Sequence, residues 1–524
     1  MLKKILLFVG ILVAMSAAVL TIFLMTQPKT EQLFSDSKGI KSGKYLKALE
    51  IKGVLTPLQL TGGKLEPKEI VTKGQLSMML MRLNGFTSAA APVEAPADPE
   101  YEDLSDYDKV YARGIYSLPS IKESYENNFC SSWNTPVNNT EADKLANQLL
   151  GVETGVKLSS EALTRDAVLE YLGKINEGDK LLPKQVFVYA GNANSGQEND
   201  QRLKASFRSP TGICFDNSGG MIVCDTASNL LRRISDDIVT TYIGKTDTLD
   251  NYGYPRGGYK DGVEPLDARL NQPGFIVSHS DGIYFTESKN STLRKLNFTD
   301  GIIYTYSGNG KQAYSNGKNE DTSFNHPSGV AISDDGIIYI ADTLNHCIRK
   351  IEKGISSVAA GIPEKAGYKN GNGKDALFCE PTAIFLDKTG ELYICDTGNN
   401  IIRKMNNKGV VSTVAGGKTV RNEDSGYMTG GYLDGKAGKA LFKSPGGIFV
   451  TEDGRILVSD TENHCIRMIL DEEVTTVAGN GRAYNTTGNL LESSFNRPTG
   501  ITYRDHTVFI ADTNNNVIKA FPLD

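Results

Sequence analysis

The sequence predicts a mainly β protein whose C-terminal two-thirds, residues 184–524, close into a six-bladed propeller. Three observations predict it. A unit of 53–64 residues starts six times with a proline-led strand. Glycine is abundant, at 53 residues, and helix-favouring runs are scarce after position 180, which implies short strands and tight turns. The last unit lacks its outermost strand, and a matching strand stands at residues 184–192. A smaller α-helical region and one transmembrane helix precede the propeller.

The elements follow in chain order. Lys3 and Lys4 precede an uncharged run from Ile5 to Met25. As a helix that run spans about 31 Å, enough for a hydrocarbon core of about 30 Å. A cleaved signal peptide has a shorter apolar region, and cutting after Ser16–Ala18 would leave an apolar new terminus. Residues 1–28 therefore read as an uncleaved signal anchor, with the two lysines cytoplasmic and the bulk of the chain outside the cell membrane. Residues 29–88 and 101–183 carry helical patterns, separated by an alanine- and proline-rich linker at 89–100.

The first helical segment runs Phe34-Ser35-Asp36, Tyr45-Leu46-Lys47-Ala48-Leu49, Gly53-Val54-Leu55, Leu65-Glu66-Pro67 and Val71-Thr72-Lys73-Gly74-Gln75-Leu76. Leu76, Met79, Leu80 and Leu83 recur at helical spacing. This order resembles a surface-layer homology (SLH) repeat. A better-kept copy of its motif is Leu163-Thr164-Arg165-Asp166-Ala167, and a poor one is Asn139-Thr140-Glu141-Ala142. The resemblance implies docking onto cell-wall polysaccharide through Lys73, Thr164 and Arg165. Lys73 keeps the charge of the family's arginine but lacks its planar fork. Read as residues alone, each motif is a threonine that caps a helix.

The blade starts are Pro210, Pro273, Pro327, Pro381, Pro445 and Pro498. A β-rich run follows each and ends in an acid: Asp225, Glu287, Asp342, Asp396, Asp460 and Asp512. Seven residues later stands a base: Arg232, Arg294, Arg349, Arg403, Arg467 and Lys519. The pattern, with Asp-Thr-x-Asn-x-x-Ile-Arg, closely resembles the NHL repeat and implies an NHL-type propeller. Residues 184–192 are then expected to pair with the last blade and remove its open edge. The acid–base pairs read as turn-shaping elements, since a catalytic group rarely occurs in six copies. Taken as exposed pairs, they would contribute only about 0–1 kcal/mol each.

Composition narrows the function classes. Net charge is −6 and no face concentrates lysine and arginine, so no nucleic-acid partner is expected. The seven cysteines form no CxxC pair and read as small buried thiols. The five histidines show no ligand spacing, and no nucleophile motif appears, so neither a catalytic residue nor a metal or cofactor is expected. Six-bladed relatives do include lactonases and a lyase, which leaves a channel-mouth enzyme as the alternative.

The blade starts are 63, 54, 54, 64 and 53 residues apart, so the long intervals follow the first and fourth blades, which stand opposite in a ring of six. Both carry a Gly-Gly-Tyr-x-Asp-Gly motif, at 257–262 and 430–435, and shorter versions carry Tyr314, Tyr368 and Tyr484. Chain direction places these loops on the face that holds His346 and His464. The candidate ligand contacts are Tyr259, Asp261, Tyr432, Asp434, Tyr368, His346 and His464. They suit a protein, peptide or carbohydrate, unless the motif merely shapes a turn packed by its tyrosine.

Overall fold

The computed structural model describes residues 70–83, 133–137, 139–150, 163–177, 184–235, 237–417 and 428–523, with the single positions 68, 103, 104, 109 and 112. The expected transmembrane segment 5–25, the linker 89–100 and most of the first helical repeat lie outside the described residues. Among the described residues no helix is long and apolar enough to cross a membrane. The chain divides into two compact units, a helical one drawn from residues 1–182 and the propeller.

In the helical unit, α1 (Lys73–Leu83), α2 (Asn139–Leu150) and α3 (Arg165–Glu177) each follow a short extended segment. Those segments close a ring of backbone hydrogen bonds. Val71 N–H donates to Leu163 O, Leu163 N–H to Val137 O, and Val137 N–H to Val71 O, at 2.9, 3.1 and 3.1 Å. Thr72 and Gln75 form a reciprocal capping box at 3.1 and 3.2 Å, which satisfies two donors at the start of α1. Thr164 Oγ1 caps α3 by accepting Ala167 N–H at 3.4 Å. The Trp133 ring lies where a Cβ on Gly74 would stand, 2.3 Å from its Nε1.

The propeller is mainly β and has six sheets. Each blade has four main strands, a to d from the channel outward; in blade 1 they are Pro210–Phe215, Met221–Asp225, Leu230–Ser235 and Ile238–Ile243. In blade 1 strand b is buried throughout, whereas strand d begins with alternating exposed and buried positions. Five sheets gain a two-residue outer strand, and blade 2 has a single bridge, Gly262 to Ile303, in its place.

The ring closes through Gln185–Ala190, which pairs antiparallel with Val517–Pro522, Phe187 opposite Ala520 and Val188 opposite Lys519. The last blade thus takes its fourth strand from the start of the domain.

Hydrophobic cores lie between blades rather than within them, because each sheet has two apolar faces. A phenylalanine or leucine three residues before each blade-start proline fills these joints: Phe207, Leu270, Phe324, Phe378, Phe442 and Phe495. Among the described cysteines, five are buried free thiols and Cys214 is half-buried.

One expectation fails. The acid–base pairs are not exposed: every acid and base of the six has a side chain at 0% exposure. Strand c turns its base inward under the d-to-a connection, which covers it. The small contribution of exposed pairs does not apply to them.

Candidate functional site

The buried base organises the face that carries the d-to-a connections. Arg467 Nη1 donates to Asp460 at 2.7 Å and to Leu441 O at 3.0 Å. Its Nη2 donates to Leu433 O at 2.9 Å and to Asp434 at 2.6 Å. Its guanidinium lies between the rings of Tyr432 and Phe442, 5.1 and 5.0 Å from their centroids. Arg294 repeats this with Glu287, Lys260 O, Asp261 and Tyr259. Arg349 and Arg403 use Asn316 and Asn370 where those two use aspartate, and stack on Tyr314 and Tyr368.

The candidate contacts Tyr259, Asp261, Tyr432, Asp434 and Tyr368 therefore belong to a repeated cap over the buried arginine. Each hydroxyl of Tyr259, Tyr368 and Tyr432 also meets a threonine on strand d, Thr305, Thr413 and Thr476, at 2.7–2.9 Å. The rings stay half-exposed on their outer side.

Each acid also fastens its own blade. Asp460 Oδ1 accepts Lys443 N–H at 2.8 Å, and the other five acids bond the matching amide. Burial pushes the carboxyls of Asp225, Asp396 and Asp460 up to about 6, against the pull of their arginines.

His346 and His464 occupy the left-handed position after strand b, with φ of 55° and 53°. Their Nδ1 atoms accept the backbone N–H of Glu380 and Arg497 in the next blade, both at 3.1 Å. Asn229, Asn400 and Asn516 do the same with side-chain oxygens. Burial holds both imidazoles below their ordinary pKa, so they remain neutral acceptors. The two histidines are blade-to-blade latches. Among the described residues, no three His, Cys, Asp or Glu side chains are grouped to hold a metal ion.

The added length after blade 1 lies ahead of the motif. Residues 248–256 form a small hairpin, with Arg256 N–H donating to Thr248 O at 2.9 Å and Asp250 capping the tip. Asn229 holds its base through Pro255 O, and Arg208 lies over the Tyr254 ring. The hairpin and its continuation expose Leu249, Tyr252 and Val263 by 61, 86 and 75%. Asn400 binds Met428 O in the same way at the opposite insertion, whose residues 418–427 lie outside the described ones. Sequence reasoning located the insertion by blade spacing but singled out the motif behind it.

In the helical unit, Lys73 is 2% exposed, at the first turn of α1. Thr164 and Arg165 are half-buried at the start of α3. The bridge between Ile70 and Thr164 brings the two motif segments together.

The NHL repeat family model matches residues 324–351 and 442–467, strands a to c of blades 3 and 5. That match and the six-bladed ring agree. The chain is 29% identical over 295 residues to Protein SUPPRESSOR OF QUENCHING 1, chloroplastic, of Arabidopsis thaliana, covering 53% of this chain and 26% of that protein. It is 25% identical over 349 residues to NHL repeat-containing protein 2 of Gallus gallus, covering 60% and 46%. It thus spans less than half the length of these curated relatives. An auxiliary nutrient binding protein from Bacteroides thetaiotaomicron aligns at TM-score 0.48 and 16% identity, over 65% of this chain and 77% of that one. A gluconolactonase from Xanthomonas campestris aligns at 0.40 and 13%, over 66% and 95%.

Proposed function

We propose that this chain is a membrane-anchored, extracytoplasmic binding protein whose propeller engages a protein or peptide through the face bearing the d-to-a connections. The observation that carries this reading is the hairpin 248–256 and its continuation. Leu249, Tyr252, Tyr254, Val263 and Leu266 are each more than half exposed within 18 residues. Exposed apolar side chains grouped on one short segment suit an interaction site. Blade geometry does not require the hairpin, because the neighbouring connections manage without it. Tyrosine and leucine at such a tip suit a partner that buries them.

The helical unit fits a supporting role at the cell wall through the SLH-like segment at Thr164 and Arg165, whereas Lys73, at 2% exposure, is too buried to reach a polysaccharide. Retention by an uncleaved N-terminal helix completes the reading. A photoreactive phenylalanine at position 252, or at 388 on the opposite face, tests the propeller in cells that make the chain. A protein adduct at 252 and none at 388 is expected; adducts at 388 alone overturn the assignment. Intact mass of the native chain tests the anchor, which fails if the mature protein begins at or beyond Val19.

A further inference from the structure

The opposite face, with the a-to-b turns, carries a second concavity that the preceding reading does not use. A cavity of about 780 Å³ crosses the lower ends of blades 4, 5 and 6. Phe385 and Phe449 line both this cavity and the central channel, so the two spaces adjoin along one aromatic wall. That wall is a row of tilted rings: Phe385 to Phe449 at 4.7 Å and Phe449 to Tyr503 at 6.2 Å between centroids. Above it the channel has about 210 Å³ of room between Ile213, Ile276, Val330, Ile384, Ile448 and Ile501. An apolar cavity of about 150 Å³ already holds a benzene-sized ligand.

Two polar side chains, one on the cavity and one on the channel, have no ionic or hydrogen-bond partner among the described residues. Arg504 lines the cavity and lies 4.9 Å from the centroid of Phe215, yet it meets no carboxylate among the described residues. Ser278 Oγ lines the channel and has no hydrogen-bond partner. The acids at the rim are already engaged. Asp387 holds its own turn through Thr389 and Glu391 N–H, Glu452 pairs with Lys388, and Asp505 is also engaged. A solvent-exposed guanidinium that rests on Phe215, with no carboxylate beside it and an aromatic wall nearby, favours an anion with an apolar body.

We infer that this mouth binds a small amphipathic carboxylate, its ring or short alkyl chain in the channel and its carboxylate on Arg504. The apolar body is held by burial, and the guanidinium sets the preference for an anion over a neutral alcohol.

The test uses the full chain and a ten-carbon carboxylate bearing a diazirine, with labelled peptides mapped by mass spectrometry. Labelling is expected within 381–393 or 445–455, competed by octanoate and not by octanol. Arg504→Gln is expected to cut labelling at least fivefold. Ala331→Phe places at the channel wall the residue that Phe385 and Phe449 supply in blades 4 and 5, and is expected to abolish labelling. If that variant misfolds, Arg504→Gln still decides the matter. Labelling elsewhere, equal competition by octanol, or labelling undiminished in Arg504→Gln overturns the assignment.

Discussion

His464 accepts the backbone N–H of Arg497 through Nδ1 at 3.1 Å, at a position where three other blades place an asparagine. An asparagine oxygen cannot be switched off by acid in this range, but an imidazole Nδ1 can. Burial is the first cause that lowers the folded pKa of both latch histidines below the ordinary value near 6.5. The unfolded chain therefore binds protons first. The latch contribution is complete above about pH 6.5 and declines as pH falls through the folded pKa.

The double variant His346→Asn, His464→Asn is expected to match the parent in urea midpoint near pH 7.5. It should lose less stability than the parent on going to about pH 5. The buried acids titrate in both proteins, so the difference isolates the imidazoles. Equal losses would show that the latches are insensitive to acid.

A buried pair behaves differently from the exposed one. Asp396→Asn leaves Arg403 charged at 0% exposure, next to Tyr368 and Phe378. Breaking a buried pair from one side costs about 3–5 kcal/mol. Lys388→Ala removes a pair that is more than 80% exposed on both sides and should cost under about 0.5 kcal/mol. Chemical denaturation of the two variants, followed by far-ultraviolet circular dichroism, should separate them widely.

Ring closure rests on residues 185–190. Without them, Val517–Pro522 loses its neighbour, and the joints holding Val186 and Ala190 open. A chain of 194–524 is expected to melt well below one of 184–524. Equal melting temperatures would mean that the ring closes by another route.

The helical unit can be followed by itself, because Trp133 is the chain's single tryptophan. Gly74→Ala places a Cβ in the space of its indole ring, so the ring or α1 has to move. A red shift of tryptophan emission is expected. Unchanged emission would mean that the ring sits elsewhere.

The ring of blades was legible because a repeated unit writes its spacing six times. Proline starts, terminal acids and following bases stand at matching distances whatever their burial. Burial itself was not legible. The acid of strand b and the base of strand c look alike whether water or a loop lies above them. The covering groups, such as Phe442 and Tyr432 over Arg467, come from a connection 25 to 35 residues away in sequence. The joint-filling Phe207, Phe324, Phe378, Phe442 and Phe495 carried a signal that the repeat itself shows, a phenylalanine three residues before five of the six blade-start prolines, with Leu270 at the sixth. The histidine latches carried one as well: they share a register with asparagines, which marks the position as an acceptor rather than a ligand site.

Tyr252 and Tyr432 should separate binding from stability. Tyr432 stacks on Arg467 and bonds Thr476, so Tyr432→Ala removes a cation–π contact and a hydrogen bond at a half-exposed site. A loss of about 1–2 kcal/mol in stability is expected, with little change at the hairpin. Tyr252 is 86% exposed at the hairpin tip, where only its backbone N–H is tied, to Asp250. Tyr252→Ala should change stability by less than about 0.5 kcal/mol. A tyrosine buried by a partner commonly contributes more than about 1 kcal/mol to binding, so the same variant should weaken the partner captured at position 252 at least fivefold. Urea titrations and partner affinity, measured on both variants, give two orderings that must oppose each other. If Tyr432→Ala weakens binding more than Tyr252→Ala while both remain folded, the contact surface lies on the motif caps and not on the hairpin.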